Sequence, residues 1–156
     1  MGLSDEEIER GIAAYKTVGR RGVVTDTGFV TLVDDCYNAN PDSMRCAVDS
    51  LMKLPGRHVC VLSDMREMGE GSAQMHRELG EYALHKGVDL VMAYGPMSKH
   101  LTEAMGSRAV YFETKDALIA ALPEYIKKGD SVLVKASLGM HLEPAADAIK
   151  AMTGEE

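Results

Sequence analysis

The chain has 156 residues, 46% hydrophobic and 26% charged, the size and make-up of one globular domain rather than of a disordered segment. A formal charge of −7, with acids and bases interleaved, argues against nucleic acid or an anionic membrane surface as a partner. No apolar run reaches the ~20 residues of a membrane span. The opening MGLSDEEIERG lacks the basic and apolar regions of a signal peptide. Three cysteines without CxxC or zinc spacing read as reduced thiols in a cytoplasmic protein.

Taken in order, Ser4 followed by Asp5, Glu6 and Glu7 predicts an N-capped helix to about Tyr15, with Ile8 and Ile12 on one face. Lys16 to Gly22 is a basic, glycine-bearing connector and a domain boundary. Val23–Thr25 and Phe29–Val33 flank Asp26-Thr27-Gly28 as a β-hairpin. The second strand is expected to stop at Asp34 and Asp35, opening a polar turn that holds Tyr37 and Asn38. Asn40 then caps a helix with Pro41 in its first turn, where the missing N–H costs nothing. That helix is expected over 41–54, with Met44, Val48, Leu51 and Met52 on one face and Pro55-Gly56 ending it. Strands at 57–62, 89–94, 109–112 and 131–135 alternate with helices at 73–86, 97–105, 115–126 and 143–152, the third of them broken near Pro123. This alternation predicts an α/β fold: a Rossmann-like three-layer sandwich, its sheet mostly parallel and covered on both faces, with an antiparallel hairpin at the edge.

In such a sheet the turns that follow the parallel strands gather along one edge, where ligands bind. Three of these turns carry more chemistry than a turn requires. VDDCYNANPDSM, 33–44, offers two acids, a tyrosine and two amides. LSDMREMGEGS, 62–72, holds Asp64, Glu67 and two glycines. VLVKASLGMHLE, 132–143, delivers Lys135 and Ser137 beside a helix start, a sensible cradle for an anion or carboxylate. No GxxxxGK[ST] or GxGxxG is present, so a triphosphate is not cradled by a P-loop here. The five histidines lack metal spacing, and no metal site is predicted. Cys36, directly after two acids, is a poor nucleophile.

These three stretches resemble the DDSYNANPxSM, LGDMxELG and VLVKGSRxMxME patterns of the Mur ligases that add D-alanyl-D-alanine to the peptidoglycan precursor. Departures include Cys36 and Ser63, Met68 where leucine is usual, Ala136 where the pattern has glycine, and Leu138 where it has arginine. His76, Glu78 and Gly80 continue the second pattern. The resemblance implies that residues 1–22 are the last helix and linker of a preceding central ATPase domain, and 23–156 the C-terminal domain of such a ligase. An N-terminal UDP-sugar domain and the central P-loop domain would be missing from this chain, which alone would be inactive and hold no catalytic residue of its own.

It further implies ATP and Mg2+ as cofactors, bound mainly by the central domain, with D-alanyl-D-alanine and UDP-N-acetylmuramoyl-tripeptide as substrates. Position by position, Arg20, Asp35, Asn38 and Asn40 would face the nucleotide. Asp64, Glu67, Lys135 and Ser137 would face the dipeptide and the transferring phosphate. Two alternatives stay open. One is a stand-alone Rossmann-like module binding a nucleotide or amino acid. The other is the C-terminal domain of a folylpolyglutamate- or cyanophycin-type ligase, against which the YNANP form argues.

Overall fold

Thr27 organises the first turn. Its Oγ1 accepts from the N–H groups of Phe29 and Val30 at 3.2 and 3.0 Å, while Asp26 accepts from Gly28, which sits at φ +78°. The turn joins β1 (Val23–Asp26) to β2 (Thr31–Asp35), antiparallel with Asp26 opposite Thr31. The computed structural model describes residues 19–153; the helix expected over 4–15 lies outside them. Beyond β2 come α1 (Pro41–Leu51), β3 (His58–Ser63), α2 (Ser72–Lys86), β4 (Leu90–Tyr94) and α3 (Ser98–Met105). β5 (Ala109–Phe112), α4 (Lys115–Tyr125), β6 (Ser131–Lys135) and α5 (Glu143–Lys150) complete the described chain.

Among the described residues the sheet has six strands in the order β1-β2-β6-β3-β4-β5, and only the β1–β2 pair is antiparallel. The expected α/β architecture is the one found. The last strand, β6, lies between β2 and β3. Successive connections through α1, α2 and α3 cover one face, and α4 returns across the other, as a single crossover hand requires. Strand side chains alternate accordingly. Leu32, Val59, Val61, Val132 and Val134 pack on Leu118 and Leu122 of α4 and Ala145 and Ile149 of α5. Val33, Cys60, Leu62 and Leu133 pack on Met44 and Val48 of α1, Leu79 of α2 and Leu101 of α3. Each such side chain, fully withdrawn from water, contributes about 1.5–3 kcal/mol before entropy. Gly80 lets α2 and α3 meet closely: a Cβ there would lie 2.4 Å from the carbonyl oxygen of Leu101.

Three local expectations need correction. β2 does not stop before the acids; Asp34 and Asp35 are its last two residues, because cations from elsewhere in the chain meet both carboxylates. α1 ends at Leu51, three residues before the expected stop, and Met52–Leu54 form a turn. α4 is not broken at Pro123 but runs through it to Tyr125. Pro123 sits in the last turn, and the N–H of Ile126 still bonds to the carbonyl of Leu122 at 2.9 Å, so little is lost.

Candidate functional site

Register builds the first part of the site. Parallel pairing sets Asp35 at the end of β2 beside Lys135 at the end of β6. The Lys135 ammonium donates to Asp35 Oδ2 at 2.5 Å and to the carbonyl of Asn38 at 2.7 Å. Lys135 is 2% exposed, and a buried ammonium persists only with such partners. Asp35 keeps 20% of its side chain open and lines a cavity of about 200 Å³ with Arg21, Tyr37, Asn38, Ser43 and Lys135. The Arg21 guanidinium lies 3.7 Å from the centroid of the exposed Tyr37 ring, a cation–π contact. Asn40 caps α1: its side chain accepts from the N–H of Ser43 at 2.8 Å, and the Ser43 hydroxyl accepts from the N–H of Asn40. A second groove of about 480 Å³ runs between β1 and α1 and shares Asp35 and Ser43 with the first.

The neighbouring Asp34 does different work. It is 1% exposed, and its Oδ2 accepts from Arg20 at 3.1 Å and Lys150 at 3.0 Å. Arg20 also donates to both oxygens of Asp147 and to the carbonyl of Glu143, so the segment before β1 is tied to α5. Partial burial works against the Arg20 charge, but Asp147 and Asp34 still hold its pKa above the ordinary arginine value. Cys36 on the same side is buried, and burial together with Asp34 raises its thiol pKa. Burial alone pushes the Cys60 thiol up to about 12. At pH 8 a thiol at that value is only about 10⁻⁴ thiolate. A disulfide reagent at pH 8 should therefore modify one thiol, the exposed Cys46, in the native protein, and all three after denaturation. Rapid native modification of two or more would contradict this packing.

The loop after β3 is held from inside. Asp64 is 5% exposed and turned into the start of α3, accepting from the N–H and hydroxyl of Ser98, both at 2.7 Å, and from the N–H of Met97 at 3.2 Å. Gly95 stands at φ +116°, where a Cβ would lie 2.4 Å from Asp64 Oδ1. The fully buried His76 accepts from the N–H of Met65 at Nε2, which leaves Nδ1–H to donate to the carbonyl of Ser72. Glu67 is exposed and in the left-handed region at φ +64°, rare for a residue with a side chain. Ser137 ties three loops together: its hydroxyl accepts from the N–H of Arg66 at 2.9 Å and donates to the carbonyl of Ala39 at 3.4 Å.

Of the eight residues singled out from the sequence, Asp35, Asn38 and Lys135 meet at one cavity, with Asn40 capping the helix behind it. Ser137 joins their loop to that of Asp64 and Glu67. Arg20 lies on the opposite face of β2, and Asp64 is spent on α3. Sequence reasoning missed Lys150, Asp147 and Arg66, and nothing local to them marks a role. Among the described residues no group of three or more His, Cys, Asp and Glu could hold a metal ion. The acids at the end of β2 face ammonium and guanidinium groups instead. No helix of the described residues is long and apolar enough to cross a membrane.

Fold and edge together define an open, mostly parallel α/β domain with a polar edge where β6 separates β2 from β3, the place at which open sheets of this class bind ligands. Residues 19–138 match the family described as "Mur ligase, glutamate ligase domain", and the chain belongs to the Mur ligase family. It is 32% identical over 151 residues to the UDP-N-acetylmuramoyl-tripeptide–D-alanyl-D-alanine ligase of Bacillus subtilis, covering 91% of this chain and 33% of that protein. With the ligase of the same name from Escherichia coli it shares 35% over 153 residues, covering 96% and 34%. The crystal structure of MurF ligase from Thermotoga maritima in complex with ADP superposes with a TM-score of 0.77 at 27% identity, over 92% of this chain and 35% of that one. A bifunctional folylpolyglutamate synthase/dihydrofolate synthase from Yersinia pestis, 21% identical with a TM-score of 0.65 over 94% of this chain and 35% of that one, shares the fold. The chain spans about a third of the length of the curated relatives it matches.

Proposed function

We propose that this is the C-terminal domain of a cytoplasmic ATP-dependent ligase that joins D-alanyl-D-alanine to UDP-N-acetylmuramoyl-tripeptide, and that it does not turn over alone. The carrying observation is the likeness, along more than nine-tenths of the chain, to ligases named for that reaction. The folylpolyglutamate-type alternative has only a shared fold behind it.

The cavity at Asp35 suits part of a nucleoside. A carboxylate accepts from sugar hydroxyls, an amide reads a base edge in either direction, and the Arg21–Tyr37 pair offers a flat face. Lys135, assigned to the dipeptide by the sequence pattern, acts here by holding Asp35 and the Asn38 carbonyl in place. Asn40 serves through the α1 cap, and Arg20 by fixing the segment that leads into β1. ATP would supply the phosphoryl group that activates the tripeptide carboxylate, and it and Mg2+ are assigned mainly to the central domain of the parent protein. The loops after β3 and β6, with Ser137 between them, face the incoming amine.

The test is ADP release by the full-length protein. Release is expected only when ATP, UDP-N-acetylmuramoyl-tripeptide and D-alanyl-D-alanine are all present. Release that proceeds equally with another amino acid or with a folate, or none with the three substrates, would overturn the reading.

A further inference from the structure

We propose that Arg66 binds the free carboxylate of the incoming amine substrate, which in the reading above, on which this inference rests, is D-alanyl-D-alanine. The cations around this edge are mostly committed. Lys135 is buried against Asp35, Arg20 and Lys150 meet Asp34, and Arg21 lies on Tyr37. Arg66 is exposed, and among the described residues its guanidinium meets no carboxylate. Its one side-chain hydrogen bond is a long one, 3.3 Å, to the carbonyl of Gly139. Four of its five N–H donors stay available.

Its base, by contrast, is fixed. The Arg66 N–H donates to Ser137, the buried Met65 before it donates to His76, and Asp64 is locked into α3. A rigid root with an uncommitted planar fork is what recognition of a carboxylate needs.

The location adds a second argument. The guanidinium rests on the loop between β6 and α5, directly over Gly139: a Cβ there would lie 2.9 Å from Nη1 and 3.2 Å from Cδ of Arg66, so a side chain at 139 would displace the arginine. The adjacent position 138, where the ligase pattern carries arginine, is a leucine, 50% exposed. A guanidinium absent from position 138 is thus set against the same loop by Arg66, from a position that the LGDMxELG pattern leaves open. Leu138, beside it, offers an apolar surface that suits the methyl group of an alanyl residue.

The experiment compares D-alanyl-D-alanine with its C-terminal amide as substrates of the full-length ligase. Arg66→Ala should raise KM for the dipeptide at least tenfold, leave KM for the amide within twofold, and leave KM for ATP unchanged. Adding Leu138→Arg to that variant should recover most of the loss, since it returns a guanidinium to the loop on which Arg66 rests. A dipeptide KM within twofold of the parent value overturns the proposal, as does an equal rise for acid and amide, which would mark a merely structural loop residue. Failure of Leu138→Arg to rescue overturns the claim that the two positions serve one carboxylate. Absence of turnover by the unmodified protein would instead remove the ligase reading, and this inference with it.

Discussion

Lys135→Met should destabilise the protein by about 2–4 kcal/mol, read as a fall in the midpoint of urea unfolding at constant slope. Methionine is unbranched like lysine and only one heavy atom shorter, so the change removes charge with little cavity. What remains is Asp35 without its counter-charge and an Asn38 carbonyl without its donor. Breaking a fully buried pair from one side costs about 3–5 kcal/mol, and an exposed pair about 0–1. Lys135 is 2% exposed but Asp35 keeps 20%, so water recovers part of the penalty and the loss falls at or somewhat below the low end of the buried range. Neutralising the orphan should help: Asp35→Asn combined with Lys135→Met is expected to be more stable than Lys135→Met alone. A loss under 0.5 kcal/mol would show that the pair behaves as a surface pair and that its burial does not matter.

Gly95→Ala is expected to cost still more, about 3–5 kcal/mol or the native fold outright. Two penalties coincide there. At φ +116° any Cβ is strained, a cost of about 1–3 kcal/mol. At 2.4 Å from Asp64 Oδ1 the methyl group must also push the carboxylate away from Ser98 and Met97, undoing three hydrogen bonds at the start of α3. Asp64→Ala alone loses the bonds without the collision and should cost about 1–3 kcal/mol. The two effects share one carboxylate, so the double variant should be clearly less unstable than the sum of the singles. Strict additivity would mean that the collision is relieved some other way.

The order of strands and helices was legible because its signals are local. Asn40-Pro41 starts α1 by a cap and a ring that needs no donor, and Gly87 ends α2 by accepting a left-handed backbone at φ +89°. The polar edge followed from that order. What each polar residue does was not legible, because the partners are distant in the chain. Asp35 and Lys135 are 100 residues apart and meet only because β6 pairs with β2. Asp64 looks ligand-facing in sequence, and only the Gly95 turn shows that its carboxylate closes α3. The expected end of β2 before Asp34 reads the two acids as the opening of a polar turn, since burying a carboxylate in a strand is costly without a partner. Arg20 and Lys150, 14 and 116 residues away, remove that cost for Asp34.

The place of β6 in the middle of the sheet also bears on how the protein is made. Synthesis is vectorial, and β2 and β3 leave the ribosome long before Ser131–Lys135. Until that last strand arrives, Thr31–Asp35 and His58–Ser63 each present an unpaired inner edge carrying some of the most apolar residues of the sheet. Such edges recruit strands from other chains. Both edges therefore stay open while everything between Ser63 and Ser131 is still being made.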